Sequence, residues 1–249
     1  MSELLGYCWP TTSKIGQTRC MSESPPEPYL LHRNFGDFDE FDLAIRAWNT
    51  EFRQLDAGPF DGQLLQMGLP GFVLSQARFG RVLDQRGEPP KGMRTLVVPA
   101  TAGQRFTWRG HEVKGSDLLV FPAGGELEAA SQPGFGVFTI SLSEDVIAQT
   151  MAALELPDSA FGPHEVIACR PQAMAALARH LQDLCNAVAQ TPDALKQWGL
   201  QEELTHTIPR ALISTLASNG APAATTRTPP RQRVHRTAQA FIAEYLDAP

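Results

Sequence analysis

The residues that could ligate a metal or exchange a proton are few and widely spaced in this chain. His111 and Glu112 are adjacent, and adjacent side chains on a strand point to opposite faces. A divalent metal needs about three or four converging nitrogen or oxygen ligands. This pair is therefore a poor start for a metal site, and the sequence predicts no metal ligands.

The remaining histidines share neither the spacing of a ligand set nor that of a catalytic triad. They are His32, His164, His180, His206 and His235. The sequence also lacks a G-x-S-x-G elbow, a phosphate-binding loop and a dinucleotide fingerprint after a strand. It therefore predicts no catalytic residue and no cofactor, which favours a binding protein over an enzyme.

A set of aromatic and polar residues at two-residue spacing could instead line a pocket. Phe106 shares a strand face with Trp108, and Gln76 shares one with Arg78. Gln66 lies near the middle of its own run, and Glu128 could neutralise a cationic ligand. Two alternatives stay open: the aromatic rings simply fill a core, and Glu126 and Glu128 are solvated carboxylates.

These residues fall in a region of short apolar runs separated by Gly and Pro turns. The runs span residues 62–69, 72–79, 93–98, 104–108, 117–121, 126–131 and 136–142. No helix-length segment separates one run from the next, which excludes a parallel sheet built with crossover helices. Regular spacing of this kind is typical of an antiparallel sandwich or barrel.

The second half of the chain has helical periodicity. Helices are predicted from 143 to Pro157, over 171–189 and over 193–218, the last kinked at Pro209, and a short one over 38–46 precedes the strands. Apolar residues of the 171–189 helix follow 3-4-3-4 spacing: Met174, Leu177, Leu181, Leu184 and Val188. The stripe predicts a dimer interface, and packing against the third helix is the alternative. That third helix should present Trp198, Leu204 and Ile208 on one side.

Composition limits the partners of this chain. Charged residues make up 19% of the chain and the formal net charge is -6, which disfavours direct binding of nucleic acid. No apolar run is long enough to cross a bilayer, and the N-terminus lacks a signal peptide, so a cytoplasmic location is expected. Cys169 and Cys185 sit among apolar residues and are predicted to be buried, reduced thiols.

Three segments carry a resemblance to known families. Residues 115–124 (GSDLLVFPAG) resemble a motif of cupin barrels, although Leu127 stands where metal-binding cupins have a histidine and the preceding His-x-His pair is missing. With the helices that follow, and with residues 236–249 (RTAQAFIAEYLDAP), the order of parts resembles an AraC/XylS-type transcriptional regulator. Residues 85–95 (QRGEPPKGMRT) are similar to a segment of ethanolamine- and amine-responsive members.

The resemblance implies an α+β fold, a cupin-like antiparallel β-barrel of jelly-roll type followed by a helical hairpin. The expected parts are an arm (1–33), an effector-binding barrel (34–142), dimerisation helices (143–218), a linker (219–233) and the first helix of an absent helix-turn-helix domain (234–249). The implied function is the sensing and dimerising part of a transcriptional activator. Its effector would be a small metabolite, such as a primary amine or amino alcohol. The expected partners are a second copy of the chain and, through the absent domain, DNA. The alternative is a metal-dependent cupin enzyme, an isomerase or dioxygenase.

Overall fold

The computed structural model describes residues 28–101, 103–121, 126–157 and 166–218, and its strands form two antiparallel sheets. The seven-stranded sheet has the order β1-β3-β4-β11-β6-β9-β12. Its strands are β1 (Tyr29–Phe35), β3 (Gly62–Leu69), β4 (Phe72–Phe79), β6 (Met93–Pro99), β9 (Asp117–Val120), β11 (Phe135–Ser143) and β12 (Val166–Ala168). The five-stranded sheet has the order β2-β5-β10-β7-β8. Its strands are β2 (Asn49–Gln54), β5 (Leu83–Glu88), β7 (Arg105–Trp108), β8 (His111–Lys114) and β10 (Leu127–Ala130).

The eight consecutive strands β4 to β11 have the topology of a jelly roll. Four of them, in the order β4-β11-β6-β9, lie in one sheet, and β5-β10-β7-β8 form the other. Chain segments alternate between the sheets in this pattern, as two interleaved Greek keys require. The described strands form two facing sheets rather than one hydrogen-bonded closed barrel, which corrects the predicted barrel while keeping its jelly-roll order.

All seven apolar runs predicted as strands are confirmed, and five strands were missed. The missed strands are β1, β2, β5, β8 and β12. β2 (NTEFRQ) and β5 (LDQRGE) are rich in polar residues because one face of the five-stranded sheet meets solvent. β1 begins at Tyr29, inside the predicted arm, because it pairs with β3 along its whole length.

The seven-stranded sheet is buried on both faces, which explains its long apolar runs. In β4, Phe72 and Leu74 face the helices, whereas Ala77 and Phe79 face the five-stranded sheet. The same alternation places Leu96 and Val97 of β6 on opposite faces. The molecule therefore has three layers: the five-stranded sheet, the seven-stranded sheet and the helices.

The helices begin at local capping groups. Asp37 Oδ1 accepts from the backbone N–H of Glu40, 3.0 Å away, at the start of α1 (Phe38–Ala44). Ser143 Oγ accepts from the N–H of Val146 at the start of α2 (Glu144–Ala153). Pro171 occupies the first turn of α3 (Pro171–Gln190), where its missing N–H costs nothing. No helix in the described part of the chain is long and apolar enough to cross a membrane.

The apolar stripe of α3 packs within its own chain, which favours the alternative of intramolecular packing, and the pairing of two copies stays a prediction. Met174, Leu177, Leu181 and Val188 are buried, and Leu184 packs against the same cluster. This cluster joins α3 to the helix-facing side of the seven-stranded sheet and to α5 (Ile208–Ala217). Side chains already covered in this way are not available to a second copy.

The predicted third helix is divided into several pieces. A 3-10 helix (Pro192–Lys196) precedes α4 (Trp198–Glu202), a π-helical turn (Glu203–Thr207) and α5 (Ile208–Ala217). Trp198 was predicted on the apolar side, but it is 76% exposed because the break before α4 rotates it away from the core. The predicted linker and the helix predicted after it, residues 219–249, lie outside the described residues.

Candidate ligand-binding site

A cavity lies between the two sheets, at a place where small residues face one another. Ser75 and Ala77 of β4 lie beside Thr139 and Val137 of β11, and Ala129 of β10 faces them from the other sheet. The cavity and its opening together contain about 670 Å³ that no protein atom occupies. Within that space, the centre of a water-sized molecule can reach about 80 Å³. One water needs about 10–15 Å³ on that measure. The cavity therefore has room for a small ligand of several heavy atoms.

Aromatic rings form most of the cavity wall. The rings are those of Trp48, Phe52, Phe79, Phe106, Trp108, Phe121 and Phe135. They pack mainly edge to face, with 4.9 Å between the ring centroids of Phe106 and Phe135 and 5.4 Å between those of Trp108 and Phe121. Phe106 and Trp108, predicted from the sequence to bind ligand, both lie in this wall. Their contact with a ligand stays a prediction.

The wall includes a few polar atoms. Gln85 of β5 and Trp108 of β7 flank Ala129 in one row across the five-stranded sheet. Trp108 is 1% exposed, and its Nε1 has no hydrogen-bond partner among the described residues. Thr139 and Ser75 are cross-strand neighbours on the opposite sheet. An indole N–H is a donor only, so a buried oxygen acceptor is the partner that this site lacks.

Gln66 positions the cavity wall without lining it. It is fully buried, and its Oε1 accepts from the backbone N–H of Arg46 at 2.9 Å. Its Nε2 donates to the Arg46 carbonyl at 3.2 Å and to Ser75 Oγ at 2.9 Å. These bonds hold the segment that carries Ile45 and Trp48 into the cavity, although Ala47 within it has a φ of 66°.

The other three predicted ligand-binding residues lie elsewhere. Gln76 faces the helices, where its Nε2 donates to Gln182 Oε1 of α3 at 2.6 Å. Arg78 shares that face of β4 and is exposed. Glu128 alternates with the inward-facing Leu127 and Ala129, so it lies on the outer face of the five-stranded sheet. The structure thus brings together Phe106 and Trp108 and leaves these three outside the cavity.

Gln85, Ser75 and Thr139 were missed by the sequence reasoning. The signal for Ser75 was present, because it shares the face of Ala77 and Phe79 at two-residue spacing. Gln85 lies in the polar β5, which has too few apolar residues to be recognised as a strand. Its inward face holds only Leu83, Gln85 and Gly87.

Burial, rather than a neighbouring charge, controls the titrating groups near the core. It raises the pKa of the Cys185 thiol to about 12 and that of Cys169 to about 11, so both are inert thiols. Burial also raises the pKa of Tyr29 to about 12, against the opposing charge of Arg46. Among the described residues, no group of three His, Cys, Asp or Glu could hold a metal ion.

No protein-family model matches the chain. Among solved structures, the chain is similar to the AraC-like transcriptional activator CuxR, with a TM-score of 0.48 and 11% identity over 88% of this chain and 81% of that one. It is also similar to the Clostridium difficile EutQ protein (TM-score 0.25, 12% identity, 36% of this chain and 75% of that one). An oxalate decarboxylase matches with a TM-score of 0.26 and 14% identity over 44% of this chain and 35% of that one.

Proposed function

We propose that this chain is the ligand-sensing part of a transcriptional regulator, and that its cavity binds a small metabolite as effector. The observation that carries the proposal is the aromatic cavity between the sheets, with the Nε1 of Trp108 in its wall lacking a hydrogen-bond partner among the described residues. Protein interiors normally pack without such space. Concave, mostly apolar sites with a few polar groups are typical of small-molecule binding.

The order of parts supports the regulatory half of the proposal. The sequence resembles an AraC/XylS-type regulator from the barrel region to residues 236–249. In such a protein, ligand occupancy of the jelly roll would be transmitted to DNA binding. Activation rather than repression, pairing of two copies and DNA contact stay predictions from the resemblance. Since the α3 stripe packs within its own chain, we expect a dimer to use exposed residues.

A matched pair of variants on β10 tests whether the cavity binds ligand. Ala129→Leu adds a side chain inside the cavity, whereas Ala130→Leu makes the same change on the outer face of the same strand. The full chain is screened by thermal shift against metabolites that include primary amines, amino alcohols, aromatic compounds and sugars. We expect at least one compound to stabilise the wild type and Ala130→Leu but not Ala129→Leu. Equal stabilisation of both variants, or of none of the three proteins, would contradict a cavity effector.

Transcript profiling tests the regulatory half. In cells given the compound found by the screen, we expect a set of transcripts to respond with the wild-type gene, to lose the response on deletion, and to regain it with Ala130→Leu but not Ala129→Leu. An unchanged response after deletion would show that the chain senses the compound for another purpose.

A further inference from the structure

The polar atoms of the cavity specify more about the effector than its size. Gln85 lines the cavity and is buried. Trp108 lies two strands away in the same row, with Ala129 between them. The amide offers donors, and the Trp108 Nε1 offers one more. Both groups can therefore donate to one oxygen atom held over Ala129.

The described lining of the cavity carries no charge that could compensate a charged ligand. No charged residue lies among the described residues that line it, and its other polar groups are the hydroxyls of Thr50, Ser75 and Thr139. A charge that leaves water for such a site loses its hydration without gaining a counterion. A primary ammonium could donate to these hydroxyls and to the Gln85 amide oxygen, but it would meet no negative charge among the described lining residues. A carboxylate would meet two donors but no cation.

The apolar residues of the cavity wall indicate which kind of ligand skeleton fits. Aromatic rings and aliphatic side chains surround the space, and the small residues that face one another leave it open. A flat apolar group fits between sheets of this kind and gains contact with ring edges and faces. This wall therefore favours an apolar, aromatic ligand body with its polar atom at one end.

We propose that the effector is a small, uncharged aromatic compound bearing one oxygen acceptor, such as an aldehyde or alcohol, whose oxygen accepts from Trp108 Nε1 and Gln85. This inference rests on the proposed sensing function and names its ligand class. It differs from the primary amine that the sequence resemblance implies. The ring of the compound occupies the space beside Ala77, Val137 and Ala129.

A series of compounds with the same ring separates charge from hydrogen bonding. Benzyl alcohol and benzaldehyde carry a neutral oxygen, benzylamine a cation, benzoate an anion, and toluene no acceptor. Binding to the full chain is measured by calorimetry and by intrinsic tryptophan fluorescence near neutral pH. We expect the two neutral oxygen compounds to bind about tenfold more tightly than toluene. The two charged compounds should bind more weakly than toluene, because they lose hydration.

Two variants test the hydrogen bonds separately. Trp108→Phe keeps a ring and removes the donor, and Gln85→Leu keeps the bulk and removes the amide. Each should weaken benzyl alcohol binding about three- to tenfold and change toluene binding less than twofold. Ala130→Leu, on the outer face, should change neither. If Trp108→Phe fails to fold, the effect of Gln85→Leu on benzyl alcohol and toluene binding tests the proposed hydrogen bonding by itself.

The outcomes separate this inference from the proposed function. Tighter binding of benzylamine or benzoate than of benzyl alcohol would overturn the uncharged class, and the sensing function would stand if Ala129→Leu abolished that binding. Equal weakening of benzyl alcohol and toluene by Gln85→Leu would overturn the assigned hydrogen bond. If neither these probes nor the metabolite screen gave binding sensitive to Ala129→Leu, both proposals would fail.

Discussion

The two faces of the seven-stranded sheet are filled in different ways. The face toward the helices carries aliphatic side chains such as Leu74, Leu96 and Ile140, which interdigitate with those of α2, α3 and α5. The face toward the five-stranded sheet carries small residues beside rigid rings, and a cavity remains between them. Flexible aliphatic chains close gaps, whereas rings held edge to face leave space next to alanine and serine. The comparison shows that one face is filled by side chains and the other retains space, which is the space that the proposed ligand binding requires.

Truncating a side chain on the helix face should give the largest effect. Leu181→Ala removes a fully buried side chain of α3 and should lower the free energy of unfolding by about 2–5 kcal/mol. Urea denaturation of the wild type, Leu181→Ala and the exposed control Arg179→Ala measures this loss. A loss seen only as weaker association of two copies, with the monomer equally stable, would restore the α3 stripe as an interface.

Two glutamines on neighbouring strands provide the next contrast. Gln66→Leu removes the partner of the backbone N–H and C=O of Arg46 and of the buried Ser75 hydroxyl, at a cost of about 1–3 kcal/mol. Gln76→Leu loses one partly buried bond to Gln182 and should cost about 0.5 kcal/mol. Denaturant melts of both variants, read at the same protein concentration, compare them. Equal losses would contradict the structural role assigned to Gln66.

Adjacent valines of β6 compare the packing of the two faces directly. Val98→Ile adds one methylene to the filled helix face and should cost about 1 kcal/mol or more, because overpacking strains a dense core. Val97→Ile adds the same group inside the cavity and should change stability by less than about 0.5 kcal/mol, or raise it. Thermal and urea melts provide the comparison. A larger cost at Val97 would mean that the cavity face is already full.

The smallest effect concerns pH. The pKa of Tyr29 rises from 10.0 to about 12 on burial, so the folded chain keeps the phenol protonated while the unfolded chain ionises it. The contribution of Tyr29 to stability is complete below pH 10 and is lost as the pH rises to about 12. Tyr29→Phe should therefore be relatively more stable than the wild type at pH 11 than at pH 9 in urea melts. A constant difference would show that folding does not raise the pKa of this phenol.

The sequence predicted five of the seven strands of the buried sheet because continuous apolar runs bounded by Gly and Pro are recognisable without tertiary information. It could not tell which face of β4 meets the other sheet, because both faces are buried. Gln76 and Arg78 were therefore assigned to the cavity, while Ser75 and Ala77 lie there. Phe106 and Trp108 were placed correctly in the wall because β7 has one polar and one apolar face.

The helical stripe shows a second limit of sequence patterns. Spacing of 3-4-3-4 specifies that one side of α3 must be covered, but not by what. The covering surface is the helix face of the seven-stranded sheet, whose strands are far from α3 in sequence. Trp198 was misplaced for a related reason, since its helix was read as continuous across a break before α4.

The pairing of β4 with β11 has a kinetic consequence. These strands meet along their whole length, yet the chain between them contains every strand from β5 to β10. Closing so long a loop is slow, and folding in milliseconds to seconds is typical of such topologies. The cavity walls beside Ala77 and Val137 come together only at that step. An effector bound there should therefore lengthen the lifetime of the native state against unfolding while leaving the refolding rate unchanged, a difference that stopped-flow mixing with and without ligand would measure.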